Sequence, residues 1–194
     1  SRVENYCATG SEALRMAAAD VQLKRYRQAR DPLRAQLAGP FADEANFHYI
    51  NALRGLGERD EYERLGRAFA DSRPESPFAQ EMLNGLASHF IVADDDERAD
   101  ELFRIMIERH PAGRYTERAY WRSGWWAYRA GRFAEAATLF DRGAAQFPRS
   151  DYRPSWIYWS GRAWEDAGNA VLATDRFALT ATDFRPEFTI RTSY

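Results

Sequence analysis

Residues of matching type return every 37 positions through the second half of this chain. Ala99, Ala136 and Ala173 share one register, and four residues after each stands Phe103, Phe140 or Phe177. Pro111 and Pro148 keep the same interval, with Pro186 one position late. Earlier in each unit come Asp94, Gly131 and Gly168, and before those Ala87, Gly124 and Gly161. A fainter copy lies upstream, where Gly57 and Pro74 stand 37 residues before Asp94 and Pro111. A period of this length marks supersecondary units that bury their apolar faces by stacking. We count three clear units and one degraded one.

Each unit reads as a helical hairpin. In the clearest, a first helix is expected over Thr116–Ala130 and a second over Arg132–Phe147. Phe133, Ala136, Ala137, Phe140, Ala144 and Phe147 form one apolar stripe at helical period. Gly131 supplies a turn conformation that other residues resist. Pro148 stops the second helix, because it lacks an N–H and clashes with the preceding turn. Small Gly124 and Ala136 let the helices approach, and Phe140 fills the groove beside them. Asp94-Asp95-Asp96-Glu97 offers a helix cap, and Asn169 offers another for the last helix. Ser76-Pro77 and Asp31-Pro32 each read as a cap followed by proline at the first helical position. The expected fold is all-α, with about nine or ten helices and no sheet. Residues 1–75 read as an irregular helical part, and 76–194 as repeats with units near 76–112, 113–149 and 150–186.

Tyr120, Gly124, Gly131, Phe133, Ala136, Phe140 and Pro148 follow the order and spacing of the tetratricopeptide pattern, which they resemble. That resemblance implies a right-handed superhelical solenoid of antiparallel helix pairs. It says little about a ligand.

The 194 residues are 45% hydrophobic, enough for a packed core. Charge is balanced at −2, with 27 basic and 29 acidic residues interleaved along the chain. No cationic footprint for phosphates stands out, so nucleic acid is not an expected partner. Lys24 is the lone lysine, and arginine, which clamps carboxylates and stacks on rings, supplies the other positive side chains. Cys7 has no second cysteine to pair with and reads as an inert thiol. No apolar run is long enough to span a bilayer. Ser1-Arg2-Val3-Glu4-Asn5 has no signal-peptide core, as expected of a cytosolic protein or of one whose leader has been removed.

No catalytic residues, metal ligands or cofactor site are expected. The carboxylates fall mostly on exposed helical faces among arginines, where salt bridging is the ordinary role. Asp94-Asp95-Asp96 lacks the alternating ligands and distal Glu of a calcium loop. His48, His89 and His110 lack metal-ligand spacing and read as structural or surface residues. No Gly-x-Ser-x-Gly turn and no phosphate loop occurs.

Aromatic residues make up 14% of the chain, with six Trp and ten Tyr. Trp121, Trp125 and Tyr128 fall on one face of a first helix. In the tetratricopeptide frame they line the concave groove with Arg118 and Arg129, and Tyr158 and Arg162 are equivalents one unit later. Rings beside guanidiniums suit sugar faces or extended polar chains. Packing between repeats explains the same stripe, and both readings stand at this stage. Trp126, Trp159 and Trp164 are assigned to packing. Tyr152-Arg153-Pro154 reads as a turn between repeats, its arginine placed to hold a carboxylate of the neighbouring helix.

Longer blocks carry a second resemblance. They are Asp94-Asp95-Asp96-Glu97-Arg98-Ala99-Asp100-Glu101-Leu102-Phe103, Gly124-Trp125-Trp126-Ala127-Tyr128-Arg129-Ala130-Gly131, Phe147-Pro148-Arg149-Ser150-Asp151-Tyr152-Arg153-Pro154 and Tyr158-Trp159-Ser160-Gly161-Arg162-Ala163. Together they resemble the helical superhelix that precedes the catalytic domain of bacterial soluble lytic transglycosylases. The resemblance implies a periplasmic setting. It also implies a non-catalytic domain that binds peptidoglycan glycan strands or braces a lysozyme-like catalytic domain around them. That domain's motif is a Glu-Ser pair followed by Gly-Leu-Met-Gln. Glu75-Ser76 matches the pair, but it lies between Pro74 and Pro77 with no such run after it, so the match is by chance. Near its end the chain reads Phe184-Arg185-Pro186-Glu187-Phe188-Thr189-Ile190, where that family continues with an Asn-Ser-Tyr-Tyr-Gly run. The rival expectation is a tetratricopeptide-type protein–protein interaction scaffold holding a peptide in the same groove. No muramidase activity is expected of these residues alone.

Overall fold

A computed structural model describes residues 2–183, with side chains from 10 to 182. The expectations that rest on Pro186, on the segment from Phe184 to Ile190 and on the Cys7 thiol lie outside the described residues and side chains. The described residues form ten α-helices and no strand. They are α1 (Arg2–Gln22), α2 (Tyr26–Arg34), α3 (Ala42–Leu56), α4 (Arg59–Ser72), α5 (Ala79–Val92), α6 (Asp96–Arg109), α7 (Thr116–Arg129), α8 (Phe133–Gln146), α9 (Arg153–Asp166) and α10 (Ala170–Asp183).

The 37-residue register extends to the helix boundaries. Helices α3, α5, α7 and α9 begin at Ala42, Ala79, Thr116 and Arg153, and α4, α6, α8 and α10 at Arg59, Asp96, Phe133 and Ala170. One left-handed residue sits between the members of each pair: Gly57 at φ +80°, Asp94 at +59°, Gly131 at +73° and Gly168 at +79°. The backbone around each closes the same C-terminal cap. In the α7–α8 turn, Gly131 N–H donates to Tyr128 C=O at 3.0 Å and Arg132 N–H to Ala127 C=O at 2.9 Å. That pair of bonds satisfies carbonyls the helix end would leave orphaned. Lys24, at φ +60°, plays this part between α1 and α2.

The chain divides into two compact units after Leu86. In the first, α1 packs on α2 and α3, α2 on α3, and α3 on α4. Leu14, Ala17, Ala29, Leu33 and Ala45 form one buried cluster there. Pro32 lies inside α2 and not at its start, which corrects the Asp31-Pro32 cap. Ala29 and Leu33, fully buried on either side of it, hold that short helix against the neighbouring core, and packing overrides the proline signal. Ser76 likewise caps no helix: its Oγ accepts from Phe78 N–H within the turn, and α5 starts at Ala79.

In the second unit each helix from α7 to α10 packs on the one before it. Asp95 caps α6 by accepting from Arg98 N–H at 3.0 Å, and Asn169 caps α10 by accepting from Leu172 N–H at 3.1 Å. Phe140 of α8 is fully buried against Gly124 of α7, where an added Cβ would stand 2.4 Å from the ring. Only hydrogen at that position lets α7 and α8 meet this closely. Trp156 of α9 is the largest fully buried side chain; it lies edge-on to Tyr120 and stacks on Tyr152. Burying a ring of that size stabilises by about 2–3 kcal/mol.

Candidate functional site

The sequence candidates Arg118, Trp121, Trp125, Tyr128 and Arg129 lie on α7, and Tyr158 and Arg162 on α9, all within the second unit. The structure brings the rings together. Trp121 and Trp125 stack at 6.1 Å and 11°, and Trp125 and Tyr128 at 5.7 Å and 13°. Residues three and four apart share a helix face, so this stack follows from the α7 register alone.

Trp159 of α9 closes the group. Its ring meets Trp125 edge-on at 4.8 Å and Tyr128 at 5.4 Å, and Tyr158 adds an edge contact to Trp159 at 5.6 Å. The two ends of the stack differ in depth. Trp121 is 7% exposed and packs on Phe140 and Tyr152, so its surface belongs to the core. Trp125, Tyr128, Tyr158 and Trp159 are half-buried and keep part of their rings at the surface. Trp164 turns its indole N–H to Asp141 Oδ2 at 3.2 Å, and that carboxylate also takes Arg176 at both oxygens.

Polar groups frame the rings. Tyr128 donates its hydroxyl to Asp166 at 2.5 Å and receives a hydrogen bond from Arg162. Burial, and then Asp166, raise the Tyr128 pKa above the usual phenol range. Arg162 also pairs with Glu165 at 3.4 Å, and Arg129 with Asp96 Oδ2 at 3.7 Å. Arg118 donates to Ser88 Oγ at 3.1 Å and lies 5.4 Å from the Phe103 ring centre. Burial, and then the Arg122 cation one turn on, push the Arg118 guanidinium below the ordinary arginine range. Arg153, expected in a turn, begins α9, and its Nε donates to the Ala144 carbonyl at 3.3 Å.

Between α6 and α7 a cavity of about 40 Å³ is lined by Asp96, Asp100, Phe103, Arg122, Trp125, Trp126 and Arg129. Such a volume holds one or a few waters. Small-molecule sites run to roughly 300–1,000 Å³, so this cavity is too small to be one. Arg122 and Trp159 are the members that sequence reasoning missed. Arg122 was legible as the residue one turn after Arg118; the place of Trp159 depends on how α9 rotates against α7. In the first unit a hollow of about 440 Å³, open to solvent, is lined by Tyr26, Phe47, His48, Asn51, Arg54 and Glu81 among others.

No family model and no curated relative matches the chain. Solved structures do. MamA (AMB-1) superposes with a TM-score of 0.59 at 18% identity, covering 90% of this chain and 91% of that one. A second MamA structure gives 0.58 at 15% identity, with 89% and 90% covered. The nearly identical tetratricopeptide-like repeats of a Podosopora anserina protein described as a "putative kinesin light chain" give 0.53 at 14%, with 88% and 92% covered. Likeness at this identity establishes the fold, an all-helical tetratricopeptide-like repeat solenoid.

These neighbours overturn the lytic-transglycosylase resemblance, and with it the reading as a peptidoglycan-holding or catalytic-domain-bracing superhelix. The physical reason lies in the blocks that carried it. Asp95 caps α6, Gly131 makes the left-handed turn, Gly124 seats Phe140 and Gly161 seats Phe177. Those are requirements of any stacked helical hairpin, so they recur wherever the hairpin does.

Proposed function

We propose that this chain is a tetratricopeptide-type protein–protein interaction scaffold, and that the ring face of α7 and α9 receives a segment of its partner. The observation that carries the reading is the half-buried group of Trp125, Tyr128 and Trp159, bordered by arginines, with a water-sized cavity beside it. Aromatic and arginine side chains dominate the energetics of protein interfaces, because rigid rings bury large area at low entropic cost. The tetratricopeptide-like fold of the similar structures supports a protein partner.

Immobilised wild-type chain is compared with Trp125→Ala/Tyr128→Ala and with Thr138→Ala, which alters an exposed position on α8. Proteins from cells of the source organism are the probe. The reading predicts a partner retained by the wild type and by the Thr138 variant and lost from the double variant. Retention of the same set by all three, or nothing above bare matrix, overturns it.

A further inference from the structure

The turn inside each helix pair takes a left-handed residue, and in three pairs it is a glycine, Gly57, Gly131 or Gly168. Among the described residues two turns depart from this, with Lys24 at φ +60° and Asp94 at φ +59°. Both strain a backbone that glycine would leave relaxed. The two residues carry opposite charges. Each also stands close to an exposed aliphatic side chain, Leu23 at 61% and Val92 at 84% exposure. Strain of this kind persists where a side chain serves something besides the turn.

Each turn keeps a charge surplus after its ion pairs are counted. A hollow of about 500 Å³ at the α1–α2 turn is lined by Lys24, Arg25, Tyr26, Arg27 and Gln28 against the end of α3, and by no carboxylate among the described residues. Asp20 reaches Arg25 at 3.6 Å, but among the described residues no carboxylate lies within 4.0 Å of Lys24 or Arg27. Continuing along α2, Arg30 takes Glu58 at 3.0 Å, and Asp31 is answered by the further cation Arg34 in the same hollow. At the α5–α6 turn run Asp94, Asp95, Asp96 and Glu97. Arg98 takes Asp95 at 2.6 Å and Arg129 takes Asp96 at 3.7 Å. Among the described residues no cation lies within 4.0 Å of Asp94 or Glu97. Lys24 and Arg27 thus leave the first turn positive, and Asp94 and Glu97 leave the second negative.

We propose that this chain associates with itself through these turns, the basic α1–α2 turn of one copy docking on the acidic α5–α6 turn of another, with Leu23 laid against Val92. Charge complementarity argues for a second copy as the occupant, because the same molecule carries both halves, each with matching surplus charge and an exposed aliphatic group. A contact between unlike surfaces is heterologous, so either turn of a copy can take a neighbour. Exposed ion pairs contribute little singly and are screened by salt, which makes the association weak and salt-sensitive. It does not depend on the ring face of α7 and α9, and fails or holds apart from the scaffold reading.

Sedimentation velocity of the full chain, from about 10 to about 500 μM at low and at high salt, reads weak association of this kind. The weight-average sedimentation coefficient of the wild type is expected to rise over that range at low salt and to rise less at high salt. Arg25→Glu/Arg27→Glu leaves both turns acidic, and Asp94→Lys/Glu97→Lys leaves both basic. Each variant alone is expected to stay monomeric. Mixed in equal amounts they are expected to associate again, because every turn then meets its opposite. Leu23→Ser/Val92→Ser, which keeps every charge, is the reserve variant if a reversed pair fails to fold, and is expected to weaken association at least about threefold. Circular dichroism confirms that each variant keeps its helix content. A wild type that stays monomeric throughout, a reversed variant that associates as the wild type does, a mixture that stays monomeric, or an unchanged serine variant overturns the inference.

Discussion

Close packing at single positions sets the strictest limits on this chain. A methyl group at Gly124 would meet the Phe140 ring at 2.4 Å, far inside contact distance. Gly124→Ala is therefore expected to destabilise by about 1–3 kcal/mol, because neither α7 nor α8 can retreat without opening the core. Phe140→Ala, which empties the same site from the other side, is expected to cost about 3–5 kcal/mol. Urea unfolding followed by circular dichroism measures both. Asp94 gives the opposite sign. It holds φ +59° where the neighbouring repeats carry glycine, a conformation that strains residues with a Cβ. Asp94→Gly is expected to stabilise by about 1 kcal/mol in the same assay; a loss of stability would mean the Asp94 side chain contributes more than its backbone strain costs. His48 supplies a pH dependence. Burial lowers its pKa below the ordinary imidazole value, against opposing pulls from Glu44 and Glu81. A depressed folded-state value means that the unfolded chain takes the proton more readily. Stability from this group is thus full above about pH 6.5 and is lost as pH falls below it. The unfolding midpoint should drop across that window, and His48→Gln should flatten the drop.

At the scale of helices, the hairpins were legible because each depends on a few local signals that repeat. The left-handed residue and the proline after the second helix sit at fixed offsets, and the structure starts its paired helices at those offsets from α3 onward. The faint upstream copy at Gly57 and Pro74 turns out to be a full pair, α3 and α4. Where packing overrides local chemistry, sequence reading failed. Asp31-Pro32 looks like a helix start yet lies inside α2, because Leu33 and Ala29 bury there. The ring face divides along the same line. The stack of Trp121, Trp125 and Tyr128 follows from spacing on one helix. The edge contacts of Trp159, and the depth at which Trp121 sits, depend on how α9 and α8 dock, which no single-helix pattern encodes. Asp95 is the cap whose loss is simplest to predict. Asp95→Ala removes the acceptor for Arg98 N–H and the pairing with Arg98, and is expected to cost about 1 kcal/mol.

For the molecule as a whole, repetition made architecture legible and function misleading. Residues that build a stacked hairpin are the same whatever the assembly binds, so blocks such as Gly124 to Gly131 pointed to a family that the similar structures do not support. What separates one such scaffold from another is the surface left after packing is satisfied. On the reading proposed above, that surface is the edge of the Trp125–Tyr128–Trp159 group and the arginines beside it. The most direct test is site-specific photo-crosslinking in cells, with a benzoylphenylalanine in place of Tyr128 and, separately, in place of Thr138 on α8. The account predicts a discrete protein adduct from the Tyr128 position and none from the Thr138 position. Adducts of equal yield from both, or from the Thr138 position alone, would contradict it.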